Sequence, residues 1–143
     1  MHSAAPYSTT TADQTLELGR KIGNCCIPGS IISLRGPLGS GKTVIAKGIA
    51  SALNIEEPIT SPTFTIIQEY DGRIPLVHMD LYRIESIEEF ELLGAEELLF
   101  STNVTIIEWS KLIDNLLPEN TIFVEILIME DSSRSIKISG VIV

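Results

Sequence analysis

Residues 36–43 read Gly-Pro-Leu-Gly-Ser-Gly-Lys-Thr, and no other segment constrains the fold of this chain as tightly. The run matches G-x-x-x-x-G-K-[ST] at every fixed position. It lies between a β-branched stretch, Ser30 to Arg35, and a helical pattern with Ile45, Ala46, Ile49, Ala50 and Leu53 on one face. Strand, glycine-rich loop and helix are the setting in which that spacing works. Glycines at 36, 39 and 41 let the backbone turn several N–H groups into one concavity, and the helix adds the positive end of its dipole. Such a concavity holds phosphate groups. Lys42 is then expected to reach the β- and γ-phosphate oxygens, and the Thr43 hydroxyl to ligate Mg²⁺. The bland alternative is a glycine-rich turn that happens to contain Lys-Thr.

The rest of the chain alternates strands and helices. Thr11 with Gln14 forms a capping box before a helix carrying Leu18, Ile22 and Cys25 or Cys26, and Gly19 and Gly23 suggest a strand packed close against it. Thr63–Tyr70 and Ile74–Asp80 read as a hairpin across Asp71-Gly72. Ser86 with Glu89 opens an acidic helix that Gly94 interrupts, and Val104–Glu108, apolar on both faces, suits a central parallel strand. A short helix around Lys111–Leu116 and two strands, Thr121–Met129 and Ser135–Val143, complete the chain. The pattern predicts a three-layer α/β domain with a mixed central sheet and an antiparallel extension. With 143 residues, one domain spanning 1–143 is expected, with residues 1–10 as a loose arm.

Composition narrows the function. Ten Lys and Arg against nineteen Asp and Glu give a net charge of -9, so the overall field of an autonomous nucleic-acid binder is missing and any nucleic acid must be held by a local patch or by a partner. No apolar run approaches the roughly 18 residues that span a bilayer. Met1 to Gly19 has no Lys or Arg and no secretory apolar core, and the adjacent Cys25 and Cys26 are poorly placed for a disulfide. A soluble, cytoplasmic protein with reduced thiols and no metal at the cysteine pair is expected.

A phosphate cradle also needs an acid at a strand end. Asp80 closes Leu-Val-His-Met-Asp and Glu108 closes Val-Thr-Ile-Ile-Glu, and both converge on the loop if their strands run parallel to the first. Glu108, on the more apolar strand, is assigned to Mg²⁺, and Asp80 to the metal's water shell or to orienting an attacking water. Either could instead be a surface acid or helix cap. Ser61-Pro62-Thr63 is either a phosphate-sensing segment or a capped turn. His78 shares a face with Asp80 and reads as a hydrogen-bonded structural residue before a catalytic one. Arg83 pairs with neighbouring acids or faces the phosphates, and Trp109 is a site aromatic, an interface residue or packing. No N-K-x-D segment is present to read guanine, so ATP is favoured over GTP.

The order GPLGSGKT (36–43), SPTFTIIQEY (61–70), HMDLYRI (78–84), EFELLGAEEL (89–98) and IIEW (106–109) resembles the TsaE (YjeE) family. RSIKI (134–138) is similar to its C-terminal strand entry. The resemblance implies a P-loop NTPase-like domain that supports the TsaB–TsaD complex in forming threonylcarbamoyladenosine in tRNA. Gly39, Ser40, Gly41, Lys42 and Thr43, with the backbone of Pro37 and Leu38, would bind the phosphates. Asp80 would serve hydrolysis, Glu108 the Mg²⁺ site, and Trp109 would be its functional neighbour, while Thr11 and Arg134 would lie near the nucleotide. Pro37 departs from the family, where an acid is common. The implied partners are TsaB and TsaD, with tRNA engaged only through them and no membrane. The acidic stretch Glu85–Glu97 is a docking surface or simply a solvated helix face.

Three functions compete. A slow, partner-dependent Mg²⁺ ATPase, with Lys42, Asp80 and Glu108 catalytic, is favoured. A small-molecule kinase would need an arginine-rich lid, and only Arg20, Arg35, Arg73, Arg83 and Arg134 are available. A non-hydrolytic nucleotide-sensing adaptor is the third.

Overall fold

The computed structural model describes residues 5–60 and 66–143. Its elements are β1 (Tyr7–Thr9), α1 (Ala12–Cys25), β2 (Ile31–Arg35), α2 (Lys42–Ala52), β3 (Ile67–Tyr70) and β4 (Leu76–Asp80). There follow α3 (Ile87–Leu92), α4 (Glu96–Leu99), β5 (Val104–Glu108), a 3₁₀ segment (Ser110–Leu116), β6 (Ile122–Ile128) and β7 (Arg134–Ser139). Among the described residues seven strands form one mixed sheet in the order β1-β7-β6-β2-β5-β4-β3. β2, β4, β5 and β6 run parallel, while β3, β7 and β1 add antiparallel edges.

Two-residue alternation along the parallel strands supplies two cores, one on each face of the sheet. Ile32, Leu34, Leu76, Ile106 and Val124 pack against Leu18, Ile22, Ile45 and Ile49 of α1 and α2. Ile31, Val77, Met79 and Ile107 point the other way, toward Phe90, Leu99 and Ile113. This is the expected three-layer arrangement, and β5 is buried along its whole length between β2 and β4. It is the central strand that its unbroken apolar run predicts.

Local signals hold at the helix starts. Thr11 caps α1 by accepting from the Gln14 N–H, while the Gln14 side chain accepts from the Thr10 N–H. Ser86 caps α3 through the Glu89 N–H, and Gly94 separates α3 from α4.

Several expectations need correction. The predicted loose arm is not loose at Tyr7–Thr9, which pair antiparallel with β7. Helix α2, rather than a strand, packs on Gly19 and Gly23 of α1: a Cβ at Gly19 would lie 2.5 Å from the Ile45 carbonyl oxygen, and one at Gly23 2.6 Å from the Ala52 Cβ. Lys111–Leu116 lies in a 3₁₀ segment that starts one residue earlier, where the Ser110 hydroxyl donates to Asp114. The last strand stops at Ser139, and Val141 and Val143 fold back onto the α1/α2 core. Residues 61–65, which include Ser61-Pro62-Thr63 and the start of the predicted third strand, lie outside the described residues.

The two cysteines are free. Cys26 is buried with its thiol 3.4 Å from the Ile22 carbonyl oxygen, and burial pushes that thiol up to about 12. No described helix is long and apolar enough to cross a membrane.

The α1–α2 contact generates a prediction. A Cβ at Gly48 would lie 2.3 Å from the Leu16 carbonyl oxygen, so backbone rather than a movable side chain blocks it. Gly48→Ala is expected to lower unfolding free energy by about 1–3 kcal/mol despite alanine's better helix propensity, as measured by urea denaturation.

Candidate active site

The loop between β2 and α2 lies at the carboxyl ends of the parallel strands. Gly39 and Gly41 have φ of +76° and +111°, a region that side-chain-bearing residues rarely adopt. Gly41 is the N-cap of α2 and brings no side-chain cap, and the first turn of the helix contains no acid. The cap residue therefore offers no side-chain acceptor at the positive end of the α2 dipole, an arrangement suited to an anion. Pro37 has no N–H to contribute; its carbonyl instead accepts from the Ser40 N–H at 3.1 Å and closes the turn. Leu38 projects outward, 85% exposed. Ser40 is fully buried, and among the described residues its hydroxyl has no hydrogen-bond partner.

Arg134, at the start of β7, faces this loop from behind. Its Nε donates to the Ser40 carbonyl at 2.9 Å and its Nη2 to the Gly39 carbonyl at 3.3 Å. The guanidinium thus grips the carbonyl side of a loop whose N–H groups must face the other way. Thr11, Thr15, Gly41, Ser132 and Arg134 line a cavity of about 210 Å³ beside the loop. Thr11 and Arg134, the two residues expected near the nucleotide, both line this cavity.

The catalytic candidates converge on the α1/α2 face of the sheet. Asp80 and Glu108 are register partners on adjacent parallel strands. Lys42, the first residue of α2, is buried with its Nζ 3.8 Å from Glu108 Oε1 and 4.5 Å from the centre of the Trp109 ring. Glu108 is 4% exposed, a burial that a carboxylate tolerates only when paired and hydrogen-bonded. His78 provides the second bond, with Nε2 2.8 Å from Glu108 Oε2. Asp80 is half-buried and accepts from the Tyr82 N–H at 3.0 Å. Desolvation holds its pKa above the ordinary carboxylate value, and the nearby Glu108 charge adds to the rise.

Trp109 takes a left-handed backbone (φ +59°, ψ +47°), which costs a non-glycine residue about 1 kcal/mol or more. That conformation sits where the strand gives way to the 3₁₀ segment, and the ring lies over the Lys42 ammonium. The Tyr82 ring packs on it at 5.0 Å between centroids. Trp109 is therefore in contact with both Lys42 and Tyr82. Thr43 follows Lys42 in the first turn of α2, and Arg83 is exposed just after β4.

No group of three or more His, Cys, Asp or Glu able to hold a metal exists among the described residues. Mg²⁺ does not need one, since it is usually held by one or two carboxylates together with substrate phosphates. The Glu108 carboxylate and the Thr43 hydroxyl are hard oxygen donors flanking Lys42 and fit that pattern.

His78 is the buried, hydrogen-bonded residue that the sequence reading preferred, while Tyr82, Thr15 and Ser132, which also line this region, were not singled out. His78 was visible in part, because it lies two residues before Asp80 on the same face of a strand. Its partnership with Glu108 depends on which strand lies beside which.

Comparison with known proteins gives the family and the fold. The family model described as "Threonylcarbamoyl adenosine biosynthesis protein TsaE" matches residues 9–136. A protein of Treponema pallidum named tRNA threonylcarbamoyladenosine biosynthesis protein TsaE is 40% identical over 129 residues, covering 90% of this chain and 96% of that protein. The Bacillus subtilis protein of the same name is 38% identical over 136 residues, 94% of this chain and 85% of the relative. The crystal structure of Bacillus subtilis YdiB superposes with a TM-score of 0.77 at 32% identity, covering 96% of this chain and 86% of that one. The α/β architecture is accordingly P-loop NTPase-like, and the chain is a member of the TsaE family.

Proposed function

We propose that this protein is a slow Mg²⁺-dependent ATPase whose turnover supports a TsaB–TsaD complex in forming threonylcarbamoyladenosine in tRNA. The observation that carries the reading is the convergence of Lys42, Asp80 and Glu108 on an α2 N-terminus without a side-chain cap. The names of the relatives supply the tRNA modification.

The residues divide the work. The loop N–H groups bind phosphate oxygens and orient the triphosphate. Lys42 sits 3.8 Å from Glu108, looser than a close ion pair at 2.7–2.9 Å, so its ammonium is released to phosphate at small cost. Glu108 and Thr43 would hold the metal, which when bound supplies the positive charge that neutralises the transferring phosphoryl group. Asp80, with a raised pKa, is a better proton acceptor than an ordinary carboxylate and orients the attacking water. Trp109 and Tyr82 keep bulk water from the Lys42 side. Partners are assigned the tRNA, since a chain of net charge -9 binds it poorly. The α3–α4 surface, acidic and with Leu92 and Phe100 exposed, is the side offered to them.

A kinase reading is weakened by the arginines. Arg20 bonds to Glu17, Arg35 to Asp114, Arg73 to the Ala52 carbonyl and Arg134 to the loop, which leaves little for a lid. An adaptor that binds ATP without needing hydrolysis is separated by asking whether hydrolysis-dead variants still sustain modification. The decisive assay is multiple-turnover tRNA modification by TsaB and TsaD homologues with and without this protein and ATP. Stimulation that requires hydrolysable ATP is expected, and equal stimulation by a non-hydrolysable analogue would favour the adaptor.

Two variants extend the test. Lys42→Ala is expected to reduce steady-state ATP hydrolysis by at least about 100-fold, the loss typical of removing one preorganised donor. Asp80→Asn is expected to cut hydrolysis by about 100-fold or more while raising the thermal midpoint at pH 7. The sign follows from linkage. A carboxyl whose folded pKa is raised binds its proton more tightly folded than unfolded, so ionising it costs stability above that pKa. The stability gain of the asparagine variant should therefore shrink as pH falls through the carboxylate range, which scanning calorimetry at several pH values would show.

A further inference from the structure

The structure assigns His78 a role that its burial alone would hide: it positions Glu108 for the metal as a fixed hydrogen-bond donor. This rests on reading Glu108 as the magnesium acid. His78 has no exposed surface and belongs to β4, while Glu108 ends the neighbouring β5. The two Glu108 oxygens are divided between different tasks. Oε2 is held from within the sheet by His78 Nε2 at 2.8 Å, whereas Oε1 faces Lys42 and the phosphate loop. A carboxylate only accepts, so Nε2 must carry a proton for this bond to form.

The other ring nitrogen fixes the tautomer. His78 Nδ1 is buried and has no hydrogen-bond partner among the described residues. An N–H there would be an unmet buried donor, which proteins tolerate less well than an under-used acceptor. The geometry therefore directs Nε2–H toward Glu108 and leaves Nδ1 as the acceptor nitrogen of the ring. One proton, held in one place, pins one carboxylate oxygen and turns the other toward the site. Partners that orient a ligating carboxylate tune metal affinity without touching the metal, and their loss typically costs 10–100-fold. A histidine that merely filled core volume would have no such effect.

Magnesium titrations of ATP binding by calorimetry would test this on the full chain, comparing wild type with Glu108→Gln, His78→Phe and His78→Gln. His78→Gln places an amide N–H near the position of Nε2 and is expected to keep magnesium affinity within about threefold, whereas His78→Phe should weaken it about 10–100-fold with magnesium-free ATP binding unchanged. Wild-type magnesium affinity in His78→Phe, alongside a loss in Glu108→Gln, would overturn the positioning role while leaving Glu108 as the metal acid. Equal weakening in both histidine variants would overturn the donor assignment. Unchanged magnesium dependence in Glu108→Gln would instead defeat the metal reading itself, and this inference with it. If His78→Phe fails to fold, the native chain still decides. It has two histidines, so His2→Ala identifies the His78 ring in long-range ¹H–¹⁵N spectra. A protonated Nε2 with an unprotonated Nδ1 at neutral pH is expected, and the opposite tautomer or an imidazolium would overturn the assignment.

Discussion

The N-cap of α2 is a glycine with no side chain to close the helix end, and much of the molecule is arranged around that deficit. A helix end left open in this way is normally closed by a Ser, Thr, Asp or Asn. Here Gly41 occupies the cap and Lys42 follows, so the cap residue itself brings no acceptor to compete with an incoming anion. Keeping the loop open needs support from outside it. Arg134 supplies part of that support by gripping the loop's carbonyls from β7, an antiparallel strand well away from the loop in sequence. The rest comes from α1, whose backbone meets that of α2 through paired glycines and fixes where the helix can lie.

The electrostatics follow from the same arrangement. Opening a cradle for phosphates places a lysine at the mouth, and in this chain Lys42 is buried beside the buried carboxylate of Glu108. Neither could be dry and alone. Trp109 offers its ring face to the ammonium, and His78 offers a proton to the carboxylate, so each charge has two neighbours. Asp80 is less well served and carries a raised pKa as a result. A carboxylate that is uncomfortable when ionised is a stability cost, and it is also what makes an acceptor reactive. The left-handed backbone at Trp109 is a second strained feature in the same few ångströms. Strain, desolvation and an uncapped helix end coincide at the carboxyl ends of the parallel strands.

The amino-acid sequence carried much of this directly. Glycine spacing with Lys42 and Thr43 determines a P-loop-like turn because the conformations and charges it needs are local. The capping residues Thr11 and Ser86 and the unbroken apolar run of β5 are local for the same reason, since each depends on neighbours within one turn or one strand. Tertiary structure decided the rest. That Tyr7–Thr9 joins the sheet, that glycines 19 and 23 accommodate a helix, and that Arg134 braces the loop depend on segments far apart in the chain. The meeting of His78 with Glu108 required β4 and β5 to be adjacent, parallel and in register, and no periodicity along one strand states which neighbour it will find.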